Sequence, residues 1–359
     1  MNRRRHIRCV TMAFVLYAAL ASAGAAPAPA AYHLYIARFY DSDLVILDSA
    51  TREELGRIEF GPGANPSHIV LSPDYGYLYV SLRGVNEVAV IDTKERKLKA
   101  RIKVGRHPHY MAITADGKRL VVGNNQDTRA SIIDLTTNTV VGEPGISRGS
   151  SGVAITADGR FAYVISIYGA DISVIDIEKM ERVSVIKLIE EYPDLIPIEK
   201  TIPHLADSDV APEKNPGLEG MVMPRGGHLV YFCARRSNRV LVLDTKTNRI
   251  TGYIQAPRAP IYMTSTPDGA GAFVLQGGKG SESISFVDLE KLVVIKSIKV
   301  GFQPMASAIS PDGKFLFVTN YGNRDDEGSI SVIDMTTLEE IDRIKFWRGP
   351  RAIAVTPAR

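Results

Sequence analysis

Residues 309–346 read ISPDGKFLFVTNYGNRDDEGSISVIDMTTLEEIDRIKF, and residues 71–104 read LSPDYGYLYVSLRGVNEVAVIDTKERKLKARIKV. In both stretches a Ser-Pro-Asp turn precedes three short apolar runs rich in Val, Ile, Tyr and Phe. Such runs, separated by turn residues, are typical of strands and hairpins and show no helical periodicity. Two copies of a pattern of this length indicate an internal repeat, and a repeat with a fixed period is the strongest indicator of the fold.

The turn that marks the repeat occurs seven times. Its positions are Ser72, Thr114, Thr156, Pro224, Thr266, Ser310 and Thr356. The markers are 42 to 46 residues apart, except for one interval of 68 residues. Each unit contains four strand-like runs, and a four-stranded antiparallel sheet of about 40 residues is the usual blade of a β-propeller. The sequence therefore predicts an all-β, seven-bladed propeller over residues 32–359.

The two ends of the repeat region complement each other. YHLYIARF (32–39) begins without the short leading strand of the other copies, and RAIAVT (351–356) has no strands after it. An incomplete ring would expose unpaired strand edges, and pairing these two segments removes them. We therefore expect the C-terminal strand to complete the N-terminal blade.

The first 31 residues differ from the repeats. They contain four arginines near the start, an apolar run over 10–20 and Ala-Ser-Ala at 21–23, which predict a secretory signal peptide followed by a short linker. The alternative is an uncleaved membrane anchor, although a run of about a dozen apolar residues is short for a membrane span. We expect a periplasmic or secreted protein with no membrane span after cleavage.

Charge and cysteine content narrow the function classes. Removal of the four arginines in residues 1–31 changes the formal net charge from +3 to −1, so a basic, nucleic-acid-binding surface is not expected. Cys9 lies in the leader and Cys233 is then the remaining cysteine, which excludes an internal disulfide and a multi-cysteine metal site in the mature chain. We expect a monomer.

The runs YLYVSL (77–82), FLFVTNYG (315–322) and SVID (331–334) resemble the YVTN-repeat family of seven-bladed propellers, over nearly all of residues 32–359. This resemblance implies the fold rather than one function, because such propellers include binding modules, lactonases, amine-dehydrogenase subunits and haem proteins. Residues 217–250 and His68 resemble, more loosely, the propeller of periplasmic nitrite reductases that carries a d-type haem, and its haem-maturation relatives.

Variation between the copies is concentrated on one end of the predicted ring, here called the top face. It consists of the loops before the inner strands and the loops between the second and third strands of each blade, at 38–43, 82–87, 124–129, 167–171, 234–239, 276–283 and 320–328. The turns of the opposite, bottom face are nearly uniform. An insertion over 189–219 is also assigned to the top face.

A constant scaffold with varied loop residues predicts a binding site. The predicted ligand-binding residues are His68, Arg83, His109, Tyr110, Asn124, Arg148, Glu219, Arg236, Tyr262, Asn320, Tyr321, Arg324 and Arg351. Because arginine side chains suit carboxylates and phosphates, we expect a small anionic ligand or a partner protein at this face.

The favoured hypothesis is an exported binding module that performs no chemistry and carries no cofactor. One alternative is a factor that binds or matures a d-type haem, with His68 or His109 directed at the iron. Another is a metal-dependent lactonase or hydrolase that holds Ca²⁺ with Asn65, Asn124, Glu219 and Asn320. His68 and His109 are also the candidates for a metal ligand.

Overall fold

The computed structural model of the chain describes residues 31–193, 215–278, 280–322, 327–346 and 349–358. In chain order the strands are β1 (Tyr32–Arg38), β2 (Asp43–Asp48), β3 (Glu54–Glu59), β4 (Pro66–Leu71), β5 (Tyr77–Leu82), β6 (Glu87–Asp92), β7 (Lys97–Lys103), β8 (Pro108–Ile113), β9 (Arg119–Asn124), β10 (Ser131–Asp134), β11 (Thr139–Gly142), β12 (Ser150–Ile155), β13 (Phe161–Ser166), β14 (Asp171–Asp176), β15 (Glu181–Lys187), β16 (Leu218–Val222), β17 (Leu229–Ala234), β18 (Arg239–Asp244), β19 (Arg249–Gln255), β20 (Pro260–Ser265), β21 (Gly271–Gln276), β22 (Ser283–Asp288), β23 (Val293–Lys299), β24 (Pro304–Ile309), β25 (Phe315–Asn320), β26 (Ser329–Asp334), β27 (Glu339–Lys345) and β28 (Pro350–Pro357). A short α-helix, α1 (Leu188–Glu191), follows β15, and a 3₁₀-helix spans Arg235–Ser237 after β17.

These strands form seven four-stranded antiparallel sheets, so the predicted seven-bladed propeller is confirmed. Blade 1 has the order β28-β1-β2-β3, and blades 2 to 7 each use four consecutive strands, beginning with β4, β8, β12, β16, β20 and β24. The first strand of each order is the inner one. Inner strands of neighbouring blades contact each other around the whole ring, from β4 and β8 through to β28 and β4.

The ring is closed by the two ends of the described chain, as predicted. Strand β1 pairs antiparallel with β28, with His33 opposite Thr356 and Ile36 opposite Ile353. The hydroxyl of Tyr32 also donates a hydrogen bond to the Asp312 carboxylate of blade 7, at 2.8 Å. Blade 1 is therefore tied both within its own sheet and to the preceding blade.

The core lies between the blades rather than within any one of them. Tyr35 of blade 1 packs in one apolar cluster with Leu78 of blade 2, and Phe232 of blade 5 packs with Tyr163 of blade 4. The outer strands have one exposed face, and β7 alternates exposed and partly buried positions along its length. A single blade cannot bury its own faces, so the copies must stack into a ring.

The bottom turns close on their own hydrogen bonds. In blade 3 the Thr114 hydroxyl donates to the Asp116 carboxylate at 2.6 Å and accepts from the Arg119 backbone N–H at 3.0 Å. Gly117 in the same turn has a φ of +71°, a conformation that costs glycine least. These turns are uniform because the backbone needs them.

The structure describes little of two predicted segments. Residues 1–30 of the predicted leader and most of the 189–219 insertion lie outside the described residues. At the C-terminal side of that insertion, the buried Asn215 donates its side-chain amide to the Ile167 carbonyl at 2.6 Å. Within the described residues, no helix is both long enough and apolar enough to cross a membrane.

Candidate functional site

A cavity of about 470 Å³ opens at the top face, where the inner strands begin. Its position follows from a local backbone pattern that five blades share. Pro66, Pro108, Pro260, Pro304 and Pro350 each stand at the first residue of an inner strand. The residues before these prolines have positive φ values and are Asn65, His107, Ala259, Gln303 and Gly349.

A β-bulge follows each of these prolines, because the pairing register with the second strand shifts there. In blade 2 the shift lies between Pro66 and Ile69, and in blade 3 between Pro108 and Met111. A bulge leaves a residue outside the regular ladder and redirects its side chain. This local geometry places His68, His109 and Tyr110 on the wall of the cavity.

The wall formed by blades 1 to 3 is cationic. Arg351 comes from the inner strand of blade 1, Arg83 from the loop after β5 in blade 2, and His109 from the inner strand of blade 3. Arg83 donates from Nε to Nδ1 of His107 at 3.4 Å, and Arg351 lies over the Phe39 ring at 5.8 Å. Neither arginine forms an ion pair with a residue that the structure describes.

The two arginines also act on each other and on His109. Burial and the nearby Arg351 charge lower the pKa of Arg83. Burial, followed by the Arg351 and Arg83 charges, holds the pKa of His109 well below its usual value. At neutral pH the imidazole is therefore neutral while both guanidinium groups are charged. The cationic wall is an uncompensated positive region, which favours an anion.

Three aromatic side chains form the floor of the cavity. The His68 ring lies 4.9 Å from the Tyr110 ring and 6.4 Å from the Tyr262 ring, and the two tyrosine rings are stacked with centroids 6.3 Å apart. The same three residues line a second cavity of about 430 Å³, which lies farther along the inner strands toward the bottom face. The aromatic floor thus separates the two cavities.

Burial controls the ionisation of the floor. It lowers the pKa of His68 to about 4 and raises the pKa of Tyr262 to about 12. It also raises the pKa of Tyr110, assisted by the charge of Glu219. All three rings are therefore neutral at physiological pH. They offer flat, apolar faces to a ligand rather than charge.

The remaining wall has a different character. In blade 5, Arg235 donates to the Glu219 carboxylate at 3.0 Å, so these two charges compensate each other. Blades 6 and 7 contribute the apolar side chains of Ile261 and Met305, together with the small Ala306. The cavity is therefore cationic on one side and largely neutral or apolar on the other.

Two polar atoms of the wall have no hydrogen-bond partner among the described residues. The Ser67 hydroxyl and Nδ1 of His109 are buried and make no hydrogen bond to any described residue. Buried polar groups are nearly always paired, and each exception in a native structure needs an explanation. Their location in the cavity wall supports a ligand or water as the missing partner.

Seven of the thirteen predicted site residues line this one cavity. They are His68, Arg83, His109, Tyr110, Glu219, Tyr262 and Arg351. Asn124 and Asn320 do not line it, since their side-chain amides donate within their own blades, to Ser131 at 3.0 Å and Ser331 at 2.9 Å. These two asparagines brace the loop between the second and third strands.

The other four predicted residues lie elsewhere or outside the described part. Arg148 lies over the Tyr168 ring at 5.3 Å, outside the cavity wall. The buried Arg236 donates to the Asn215 carbonyl at 2.6 Å, and Tyr321 packs against Tyr40 with ring centroids 6.1 Å apart. Arg324 falls outside the described residues.

Arg83 was predicted, and four wall residues that were not predicted occupy the equivalent position of their blades. In blades 2 to 6 the residue directly after the second strand lines the cavity; these residues are Arg83, Asn125, Ile167, Arg235 and Gly277. The predicted residues Asn124 and Arg236 are the direct neighbours of Asn125 and Arg235, which line the cavity. The end of the YVTN-like strand was visible in the sequence, so counting one residue beyond it is the signal that finds this set.

The described residues contain no group of three or more His, Cys, Asp or Glu side chains that could hold a metal ion. Of the four residues predicted to hold calcium, the cavity wall includes Glu219, whereas Asn65, Asn124 and Asn320 are not part of it. Asn65 donates its side-chain amide to the Phe39 carbonyl at 3.1 Å. Calcium binding stays a prediction for which this cavity supplies one carboxylate.

Comparison with known proteins agrees with the fold. The family model described as YNCE-like beta-propeller matches residues 41–194. No curated protein matches the chain in sequence. In contrast, 1714 chains of solved structures match its fold, so similarity of fold does not by itself select a function.

Three solved structures illustrate the range. Kuenenia stuttgartiensis hydrazine synthase is 17% identical with a TM-score of 0.63, covering 82% of this chain and 96% of that chain. A functionally unknown protein from Desulfotomaculum acetoxidans DSM 771 is 12% identical with a TM-score of 0.72, covering 91% and 99%. The dihydro-heme d1 dehydrogenase NirN in complex with DHE is 16% identical with a TM-score of 0.60, covering 90% and 74%.

At these identities the likeness shows the fold alone. The predicted resemblance to seven-bladed repeat propellers is confirmed, and the looser resemblance to haem-d1-type propellers is confirmed as a similarity of fold. The chain is a seven-bladed β-propeller that matches the YNCE-like beta-propellers over residues 41–194.

Proposed function

We propose that this propeller is a binding module that takes a small anionic ligand into its top-face cavity. The observation that carries the proposal is the pair Arg83 and Arg351, two half-buried guanidinium groups on one cavity wall with no ion pair to a described residue. Keeping two like charges close together is unfavourable unless an anion compensates them. Guanidinium groups suit carboxylates and phosphates through paired N–H donors.

The size of the cavity favours a small molecule over a protein segment as the primary ligand. Its volume of about 470 Å³ lies within the usual range for small-molecule sites, which is about 300–1,000 Å³. The unpaired Ser67 hydroxyl and His109 Nδ1 would add neutral hydrogen bonds to the ligand. Binding an anion in this cavity requires no catalytic group.

Fluorescence titration of the purified full chain with naphthoate, a fluorescent carboxylate, tests this function. We expect saturable binding that falls by about tenfold to a hundredfold in Arg351→Gln, because a charge-assisted hydrogen bond contributes about 1.5–3 kcal/mol. Arg182→Gln is the matched control, since Arg182 is exposed on the outer strand β15. Equal loss of binding in both variants, or no saturable binding of any carboxylate, would refute the proposal.

A second candidate ligand is a d-type haem or a related tetrapyrrole, and the position of His109 favours it. This neutral imidazole has an unpaired Nδ1 and lies beside Arg83 and Arg351, which would meet the carboxylates of the macrocycle. His68 is the poorer iron ligand, because its Nδ1 accepts the Met111 backbone N–H at 3.4 Å and the proton then resides on Nε2. The fold likeness to NirN is consistent with this candidate.

Absorbance titration with haem and a d-type analogue separates this candidate from a general anion site. A tetrapyrrole site predicts a saturable shift of the Soret band that His109→Gln abolishes and His228→Gln leaves intact. His228 is an exposed residue of a bottom turn and serves as the matched control. A Soret band that does not shift, or that shifts equally in both variants, would eliminate the tetrapyrrole.

A further inference from the structure

The distribution of charge around the cavity indicates how many anionic groups the ligand carries, in addition to the sign of its charge. In a ring of seven blades, blades 5 and 6 lie across the cavity from blade 2, and blades 4 and 5 lie across from blade 1. Arg83 and Arg351 therefore face Glu219 and Arg235 of blade 5 from the opposite wall. Positive charge is uncompensated on one side of the cavity and compensated on the other.

The compensated side does not offer a second anion site. The Glu219 carboxylate already occupies an Arg235 donor at 3.0 Å, and the pair is about one-fifth exposed at each side chain. An incoming anion on this wall would meet the Glu219 charge at close range. Like charges repel more strongly between partly buried groups than in bulk water, because the effective dielectric constant is lower. The wall therefore disfavours a second negative group.

The space between the two walls suits an apolar body. Tyr110 and Tyr262 present neutral stacked rings from below, and Ile261 and Met305 cover the side formed by blades 6 and 7. Flat aromatic ligands gain dispersion and burial against such surfaces. A ligand whose charge contacts Arg351 can extend over this apolar region, because blade 7 is adjacent to blade 1 in the ring.

We propose that the ligand is a flat or apolar molecule with a single anionic group. The anionic group lies against Arg83 and Arg351. The apolar body covers the rings of Tyr110 and Tyr262 and contacts Met305. This inference rests on the proposed anion-binding function. It adds that the cavity selects monoanions against dianions of the same shape. Glu219 is the specificity-determining residue, since it opposes a second negative group.

A matched set of three probes tests this selectivity on the full chain. Naphthoate carries one carboxylate, naphthalene dicarboxylate carries two, and naphthalenemethanol has the same ring system without charge. We expect naphthoate to bind about tenfold or more tightly than either of the other two, because each loses one favourable interaction or gains one repulsion. Isothermal titration calorimetry at fixed ionic strength measures all three constants.

The variant Glu219→Gln sharpens the test. It removes the opposing charge and frees Arg235, so the preference for naphthoate over the dicarboxylate should fall by about tenfold. The exposed control Glu181→Gln on β15 should keep the wild-type preference. Circular dichroism of both variants checks that the propeller remains folded.

The possible outcomes separate this inference from the function on which it rests. If the dicarboxylate binds as tightly as naphthoate, and Arg351→Gln weakens both, anion binding stands and monoanion selectivity is wrong. If Glu219→Gln leaves the preference unchanged, Glu219 is not its determinant and the inference fails. If neither carboxylate binds, or Arg351→Gln changes neither constant, the inference and the proposed function fail together.

Discussion

The top and bottom faces of the ring use their polar side chains in opposite ways. On the bottom face, Ser72 and Ser310 repeat the bonding of Thr114, each donating its hydroxyl to the aspartate two residues later. On the top face, Arg83 and Arg351 have no ionic partner among the described residues, and the Ser67 hydroxyl has no hydrogen bond to one. Side chains with a hydrogen-bond partner stabilise the bottom turns, whereas top-face side chains without a described partner are available to bind a ligand.

The comparison teaches how to separate structure from function in a repeat protein. The copies agree where a turn requires a particular residue, as at Gly117 with its φ of +71°. They differ where the scaffold only positions a side chain. If this division is correct, substitutions on the bottom face change stability and those on the top face change binding. The four predictions below test it, beginning with the largest effect.

Opening the ring should abolish both faces at once. Deletion of residues 350–359 removes β28, and with it the buried Ile353 and Val355 and the pairing with β1. We expect a chain without a cooperative thermal unfolding transition. The free energy lost with the strand pairing and the buried side chains should exceed the usual stability of a domain, about 5–15 kcal/mol. Differential scanning calorimetry measures this transition.

Deletion of residues 358–359 alone is the control for that experiment. Both residues follow the end of β28, so the shortened chain should unfold at the wild-type temperature. A chain that lacks 350–359 and yet unfolds cooperatively near that temperature would show that closure contributes little. In that case the two faces would not depend on a common scaffold.

The double substitution Arg83→Gln and Arg351→Gln should separate binding from stability on the top face. We expect naphthoate affinity to fall by about 3 kcal/mol or more, since two charge-assisted contacts are lost. Burial and the charge of Arg351 lower the pKa of Arg83, so the substitutions remove a buried charge and a repulsion, and the unfolding temperature should stay the same or rise. Titration and thermal unfolding of the same sample measure both, and a large loss of stability would contradict the division.

The lowered pKa of the top-face residue His68 predicts that the free energy of unfolding depends on pH. Its folded pKa of about 4 lies below the usual 6.5, so the unfolded chain binds the proton first as the pH falls. Stability should be fully present above pH 6.5 and decline by about 3 kcal/mol as the pH falls to 4, at about 1.4 kcal/mol for each unit of pKa difference. Urea unfolding across this range measures the slope.

The variant His68→Gln should reduce that slope, whereas His228→Gln at an exposed bottom turn should keep it. His109 contributes in the same direction, because its pKa is also lowered by burial and by the adjacent arginines. A His68→Gln slope equal to that of the wild type would mean that this ring is not held neutral by the fold.

Thr114→Ala tests the bottom face and should have the smallest effect. The hydroxyl holds Asp116 and receives the Arg119 N–H, and loss of such a bond typically costs about 1 kcal/mol. We expect a modest drop in unfolding free energy with unchanged naphthoate affinity. Changed affinity in this variant would mean that the two faces are coupled through the inner strand β8.

Much of the scaffold was predictable because its determinants are local. The strand at 77–82 has the predicted bounds, since its apolar run and the Ser-Pro-Asp turn before it specify them. Closure of blade 1 by β28 followed from the missing strand at one end and the extra strand at the other. The positions of the variable loops also followed from the repeat.

The residues that line the cavity were harder to derive from the sequence, and the difficulty has a physical cause. Asn124 and Asn125 are neighbours, but adjacent residues at a strand end point in different directions, so one braces a loop and the other lines the cavity. The same one-residue difference distinguishes Arg236 from Arg235. The pattern in the sequence identified the loop, whereas the side-chain direction depended on the local backbone.

By itself, the sequence determined the number of blades, the way in which the ring closes and the face on which the copies diverge, because short-range turn and strand chemistry repeats along the chain. Only the tertiary structure decided that Arg83 and Arg351 share one wall, that Glu219 is compensated by Arg235, and that Tyr110 stacks on Tyr262. These residues come from different blades or loops. Their charges and rings interact only after the ring closes, since electrostatic and packing energies depend on distance in space and not on separation in sequence.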